Sequence, residues 1–317
     1  MPTIPTRPLG RSGLEVPVIT LGGNVFGWTV SEADTFLLLD RAVDLGLTFI
    51  DTADIYSRWV PGHTGGESET LIGKWFTSSG ARDRVILATK VGMDMGDAGR
   101  GLSAKHIGAA AEASLRRLRT DRIDLYFSHL DDPETPLEET LQEHAKLIAE
   151  GKVRATGASN YNGARLREAM EISKKNGLPG YTVLQPHYNL MERADYESDL
   201  APVVAEHGLG VVPYFALASG FLTGKYRGPA DLAGKARGAM VGKYLNDRGF
   251  AVLAALDAIA EDYHATPARV ALAWLIAQPG ITAPIASATN ERQLDDLAEA
   301  AKLRLDDAAL SRLTAIG

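Results

Sequence analysis

The chain has 317 residues, 45% of them apolar and 23% charged, with a formal net charge of −7, the balance of an ordinary globular protein with room for a large core. The acidic balance argues against nucleic acid or an anionic membrane surface as the main partner, and the complete lack of cysteine removes disulfides, thiol nucleophiles and thiolate metal sites. No apolar run approaches the ~20 residues that span a bilayer, and the start, Met1-Pro2-Thr3-Ile4-Pro5, has no basic segment followed by an apolar core, so a soluble, cytoplasmic protein is expected.

Strand-like apolar runs alternate with helix-like segments along the chain. Val16–Leu21 reads as the first strand, and Ser31-Glu32 as the start of a helix reaching Leu45. Phe49–Asp51 is the second strand, followed by a helix over Ser68–Phe76. Val85–Lys90 is the third, and Ser103 caps a helix ending near Leu118. Ile123–His129 is the fourth, with a helix from Pro136 to Ala149 closed by Gly151. Ala155–Ser159 makes the fifth strand and Ala164–Asn176 its helix. Thr182–Gln185 is the sixth, with a short helix over Leu200–His207. Leu209–Tyr214 is the seventh, and a long loop, Phe215–Lys243, leads to helices over Asp247–Tyr263 and Pro267–Ala277. Ile281–Ala286 is the eighth strand, before helices over Glu291–Ala300 and from Asp306. Eight buried-looking strands, each followed by a helix, predict parallel strands with helical crossovers. At this length a closed (β/α)8 (TIM) barrel, α/β in class, is preferred over an open sheet. No low-complexity linker divides the chain, so one domain is expected over residues 1–317.

In such a barrel, functional groups sit where strands end and the following loops begin. The second strand ends at Asp51, and its loop adds Tyr56. The third ends at Lys90, the fourth at His129, the fifth at Ser159-Asn160, the sixth at Gln185 and the seventh at Tyr214. Taken singly, each has an ordinary explanation: a loop-capping acid, a surface lysine, a satisfied core histidine. Together, an acid, a phenol, an ammonium and an imidazole converge on one face and fit one reaction. A phenol titrates near pH 10, too high for neutral pH; an adjacent ammonium favours its ionised form, and an acid beside the ammonium keeps that charge in place. An imidazole can hold a carbonyl oxygen against the phenol, which then protonates an alkoxide as it forms. The hydride must come from a nicotinamide, because no side chain supplies one.

The chain resembles the aldo-keto reductases. The matching stretches are Phe49-Ile50-Asp51-Thr52-Ala53-Asp54-Ile55-Tyr56, Leu87–Lys90, Asp124–His129, Gly157–Asn160, Gln185–Leu190 and Pro213-Tyr214 through Gly224-Lys225-Tyr226. They follow in order along nearly the whole chain. The resemblance implies Asp51, Tyr56, Lys90 and His129 as the catalytic tetrad, with Tyr56 the acid. It implies Ser159, Asn160 and Gln185 around the carboxamide of the nicotinamide, and Tyr214 stacked on its ring, a role that suits a flat aromatic side chain. The loop after the seventh strand resembles the family's segment over the cofactor pyrophosphate, with Leu217, Ser219, Gly220, Leu222, Gly224 and Lys225 at the matching positions. It is not a P-loop: Gly220 and Gly224 are one residue too close, and Tyr226 replaces the Ser or Thr. Gly99–Ala104 fits G-x-G-x-x-A in form, but follows a loop instead of a strand.

The last strand departs from the family pattern. Where NADP-preferring members often have glycine, with arginine two residues on, this chain has Ser287 and Thr289. Their hydroxyls and the following helix start could still bind a phosphate, with Arg292 in reach. Asp296 fits the family's acidic adenine contact and Gln293 is grouped with it, although Leu297 stands where asparagine is usual. NADPH is the expected cofactor, with NADH use possible. Trp28, Tyr56, Trp59 and His129 are expected to line the mouth, with Asn24 and Val25 beneath. An aromatic-walled cleft suits apolar or ring-bearing aldehydes and ketones. His129 stands where relatives that reduce conjugated double bonds carry glutamate, which favours carbonyl reduction.

Two other readings fit less of the chain. A Schiff base on Lys90, as in barrel aldolases, leaves Tyr56, Ser159-Asn160 and the loop after the seventh strand unexplained. Aldo-keto-like barrels also serve as regulatory subunits of potassium channels, but need a partner-binding surface. The seven histidines are scattered, with no H-x-x-x-H, so no metal site is expected. The physiological carbonyl, the direction of reaction and the choice between monomer and small homo-oligomer are not written in the sequence.

Overall fold

The computed structural model describes residues 4–317; Met1-Pro2-Thr3, part of the start read above for a targeting signal, lie outside the described residues. The chain begins with a hairpin of two antiparallel strands, β1 (Thr6–Pro8) and β2 (Glu15–Pro17). The barrel follows: β3 (Thr20–Gly22), α1 (Glu32–Leu45), β4 (Phe49–Asp51), α2 (Glu67–Ser79), β5 (Ile86–Val91), α3 (Ala104–Leu118), β6 (Ile123–Ser128) and α4 (Leu137–Ala149). It continues with β7 (Val153–Ser159), α5 (Gly163–Asn176), β8 (Val183–Gln185), α6 (Ala201–His207), β9 (Gly210–Val211) and α7 (Gly238–Val241). Helices α8 (Asp247–Asp262) and α9 (Pro267–Ala277), strand β10 (Ile285–Ala286), and helices α10 (Glu291–Lys302) and α11 (Asp307–Ile316) complete the chain. The eight strands β3 to β10 pair in parallel, with β10 beside β3. The circle closes where the Thr282 N–H donates to the Val211 carbonyl at 2.8 Å and the Ile285 N–H to that of Pro213 at 2.9 Å. This is a (β/α)8 barrel. Among the described residues no helix is long and apolar enough to cross a membrane.

Three details depart from the sequence reading; in one, of the run Leu209–Tyr214 only Gly210 and Val211 pair as a strand. The run Val16–Leu21 is not one strand but the end of the hairpin and the start of the barrel. Pro17 has no N–H to continue a ladder, and the Val18 N–H turns back to the Pro5 carbonyl at 3.0 Å. Of Ile281–Ala286, only Ile285 and Ala286 form the eighth ladder, because Pro284 likewise interrupts it.

Local chemistry explains the helix ends. Ser31 and Ser103 cap α1 and α3, their side chains accepting from the N–H groups of Asp34 and His106. Gly46 ends α1 in the left-handed conformation at φ 84°. Inside the barrel, Phe49, Leu125, Phe127, Val183 and Val212 pack with Leu9, Leu14 and Val16 of the hairpin. The hairpin therefore stops the amino ends of the strands, where Gly10 lies against the backbone of Gly210 and Thr182 too closely for any Cβ. A larger apolar cluster fills the space between strands and helices. The opposite, carboxyl end is left open.

Candidate active site

At that open end lies a cavity of about 890 Å³, within the range of small-molecule sites. Lys90, on β5, is its organising residue and is fully buried. The three protons of an ammonium have three acceptors: Asp51 Oδ2 at 2.7 Å, the Thr52 carbonyl at 2.7 Å and the Tyr56 hydroxyl at 2.8 Å. Asp51, at the end of β4, has both oxygens engaged. Oδ2 accepts from Lys90 and from the Tyr56 hydroxyl at 3.3 Å, and Oδ1 from Gln185 Nε2 at 3.0 Å. A buried charge pair with every polar atom partnered holds its geometry tightly. His129, just past β6, lies with its ring 6.1 Å from that of Tyr56. Its Nδ1 is buried without a partner.

Burial decides the proton affinities. The Tyr56 phenol is pushed well above its ordinary value, by desolvation first and by the Asp51 carboxylate second. Desolvation and the Asp51 carboxylate thus act against the lowering expected from the neighbouring ammonium. Tyr56 therefore holds its proton at neutral pH. Desolvation lowers Lys90, with Asp51 opposing. It also holds His129 far below the usual imidazole range, with Lys90 adding to the effect, so the ring is neutral and keeps one N–H to donate.

Around this centre, Asn160 follows β7 in a left-handed conformation at φ 54°, which costs a non-glycine residue energy unless its surroundings fix it. They do: its Nδ2 donates to the His129 carbonyl at 2.8 Å, and its Oδ1 accepts from the Tyr214 hydroxyl at 2.8 Å. Ser159 Oγ donates to the Gln185 carbonyl at 3.0 Å. The Tyr214 ring stacks on His187 with centroids 5.1 Å apart and planes 11° apart. Ser159, Asn160, Gln185 and Tyr214 all line the cavity.

The cavity also brings in Asn24, Val25, Leu217, Ser219, Gly220, Lys225, Ser287, Thr289, Gln293 and Asp296. Two expected contacts are not among its walls. Leu222 is fully buried in the apolar core, and Gly224 caps the turn Ala218–Thr223 and faces Arg227 and Pro267. Both support the loop from behind, because the turn aims alternate residues away from the opening. At the far end, Ser287 Oγ donates to Asn24 Oδ1 at 2.6 Å, the Thr289 hydroxyl to Gln293 Oε1 at 3.2 Å, and Asp296 accepts from Arg269 at 2.7 Å. Trp28 and Trp59 meet edge to face at 5.5 Å, and Trp59 lies 6.0 Å from Tyr56, so these aromatics form one wall with Tyr56 at its foot.

Residues that the sequence reading did not single out also face the cavity. Lys235 and Arg237, in the loop Phe215–Lys243, line it with Lys225 and Arg292. The Arg237 guanidinium lies 5.6 Å over the Trp28 ring, and among the described residues none of these four cations is held in an ion pair. The Lys235-Ala236-Arg237 spacing was the available signal. Phe215, Ala218, Ser219 and Gly220 have positive φ, so this loop folds its backbone tightly toward the opening. Unpaired cations, strand-end amides and hydroxyls, and a flat aromatic suit a phosphorylated dinucleotide, and the residues present fit that group.

A family model described as the aldo/keto reductase family matches residues 18–317. The chain is 36% identical over 316 residues to an uncharacterized oxidoreductase, YrpG, of Bacillus subtilis, covering 97% of this chain and 94% of the other. It is 33% identical to a putative voltage-gated potassium channel subunit beta of Schizosaccharomyces pombe, over 92% of this chain and 86% of the other. It is 32% identical to the L-glyceraldehyde 3-phosphate reductase of Escherichia coli, over 93% and 86% respectively.

Proposed function

The chain belongs to the aldo/keto reductase family, and from that premise we propose that this oxidoreductase reduces an aldehyde or ketone to the alcohol, with Tyr56 as the general acid and NADPH as the cofactor. The observation that carries the reading is the placement of Lys90, whose ammonium is shared between Asp51 and the Tyr56 hydroxyl. Asp51 orients Lys90 and is not itself a base. The substrate carbonyl oxygen lies between the Tyr56 hydroxyl and the neutral His129 imidazole, and both donate to it. When bound, the nicotinamide supplies the hydride. Tyr56 then passes its proton to the alkoxide oxygen, and Lys90, at 2.8 Å, stabilises the phenolate left behind.

Ser159, Asn160 and Gln185 hold the carboxamide in this reading, and Tyr214 offers the ring face not covered by His187. Ser287 and Thr289, with Arg292 beside them, receive the phosphate that distinguishes NADPH. The aromatic wall of Trp28 and Trp59 selects apolar or ring-bearing carbonyl compounds. The chain acts as one domain, as a monomer or small homo-oligomer, in the cytoplasm.

The test is oxidation of NADPH with a panel of aromatic and aliphatic carbonyls. Tyr56→Phe is expected to lower kcat by about 10²–10⁴, the usual worth of general acid catalysis; a loss under about tenfold would remove Tyr56 from that role. The ratio of kcat/KM for NADPH and NADH decides the cofactor. A second reading comes from the likeness to the Schizosaccharomyces pombe putative channel subunit. It requires near-absent turnover and a stable complex with a membrane protein, so measured turnover separates the two.

A further inference from the structure

Behind the tetrad lies a second group of ionisable side chains that the proposed chemistry does not use. Asp54 sits on the Tyr56 loop, three residues after Asp51 and two before Tyr56, and is 2% exposed. Its N–H donates to the carbonyl of Lys90 at 3.3 Å, and its Oδ1 is buried with no partner. Near enough to act on it by charge is Glu69 of α2, fully buried, which accepts from the Thr89 hydroxyl of β5 at 2.6 Å and from Arg117 Nε of α3 at 2.6 Å. The hydroxyl of Tyr126, on β6, is buried in the same group and also lacks a partner. Two acids thus share one arginine, and the arginine is bonded to Glu69.

We propose that Asp54 is a positioning residue that acts on Lys90 and Tyr56 from behind the strand ends and sets the pH range over which they work. Two carboxyl groups in a dry site do not both ionise easily. Glu69 has the hydroxyl and the guanidinium. Asp54 has an unpartnered oxygen and the neighbouring Ile55 N–H. Burial first, and the charge of Glu69 second, push Asp54 up to about 8, against the opposing pull of Arg117 and Lys90. The charged and titratable groups facing it are Tyr56 on its own loop, Glu69 from α2, Lys90 from β5, Arg117 from α3 and Tyr126 from β6. Asp54 is therefore neutral at neutral pH and gains a negative charge as the solution turns alkaline. That charge makes Lys90, whose proton affinity burial lowers, hold its proton more tightly, so the ammonium beside Tyr56 is kept where it would otherwise begin to be lost.

This inference rests on the proposed reduction chemistry, and two measurements keep their failures apart. The first needs no turnover: a carbon-13 NMR titration of aspartate carboxyl groups in the wild-type protein is expected to show one aspartate ionising near pH 8, its signal absent in Asp54→Asn. If every aspartate ionises below about pH 5, as unperturbed ones do, the proposal falls. The second is the pH profile of carbonyl reduction. The ratio of kcat/KM at about pH 9 to that at about pH 7 is expected to fall by up to about tenfold in Asp54→Asn, as a displacement of the alkaline limb by about one unit requires, and to recover in Asp54→Glu. An unmoved limb, or an equal loss at every pH, overturns the proposal in favour of a merely structural Asp54. If no carbonyl is reduced at all, the reduction chemistry falls, and the titration still decides whether Asp54 holds its proton. Should Asp54→Asn fail to fold, the wild-type titration stands alone as the test.

Discussion

A buried lysine is costly unless its charge is met on every side, and the three acceptors around Lys90 meet it while leaving the Tyr56 hydroxyl at the edge of the cavity. Asp54 shows the opposite arrangement, a buried carboxyl left half-partnered. This has a consequence for stability, since its folded value of about 8 stands above the ordinary value of 3.8. Below the lower value, both folded and unfolded states carry the proton. Between the two values the unfolded chain releases it and the folded protein does not, so stability falls as pH rises through this window. Asp54→Asn removes the penalty. Urea unfolding is expected to find the variant gaining stability over wild type by roughly 3–4 kcal/mol more at pH 8 than at pH 5; an equal difference at both pH values contradicts this. At this scale the sequence is readable where chemistry sits at strand ends, as with Asp51, Lys90 and His129. It is not readable for Leu222 and Gly224, whose direction depends on the turn geometry after β9, nor for Arg237, whose place over Trp28 depends on the path of a long loop.

Among the elements, α2 and α3 carry Glu69 and Arg117 to the back of the site, and their separation is set by Gly73. A Cβ at Gly73 would collide with the backbone of Arg117 and Leu118, so the helices approach as closely as a glycine permits. Gly73→Ala is expected to cost about 1–3 kcal/mol in chemical denaturation, the range for overpacked contacts, and an unchanged midpoint would show that α3 can shift freely. Helices were legible from their caps and periodicity, as Ser31 and Ser103 show. The strands are shorter than the apolar runs that announce them, because an apolar run marks burial, not hydrogen bonding. At Pro17 and Pro284 the run continues while the ladder cannot.

For the whole molecule, the barrel separates its tasks between two ends. The hairpin Thr6–Pro17 stops the amino end with Leu9, Leu14 and Val16, and the chemistry gathers at the carboxyl end. Leu9 is fully buried, so Leu9→Ala is expected to cost about 2–5 kcal/mol of stability while carbonyl turnover per folded molecule stays unchanged. A matching loss of kcat would mean that the two ends are coupled. Closure of the ring between Val211 and Thr282 joins residues far apart in the chain, and counting strand–helix units anticipated it without identifying the bonds. The hairpin plug was invisible to that count, because its strands are too short to stand apart from a loop.

The cations Lys225, Lys235, Arg237 and Arg292 that line the cavity belong to a protein whose net charge is −7. An approaching anion is repelled by the body and drawn in only within reach of these cations. Such short-range attraction works through the encounter rate and is screened by dissolved ions over roughly 10 Å at 0.1 M. Raising ionic strength is therefore expected to slow capture of a phosphorylated ligand and to raise its KM, with kcat nearly constant, in a stopped-flow and steady-state series over added salt. A capture rate indifferent to salt would mean that these cations do not guide arrival. The reach of these charges is then set by the solution as much as by the fold.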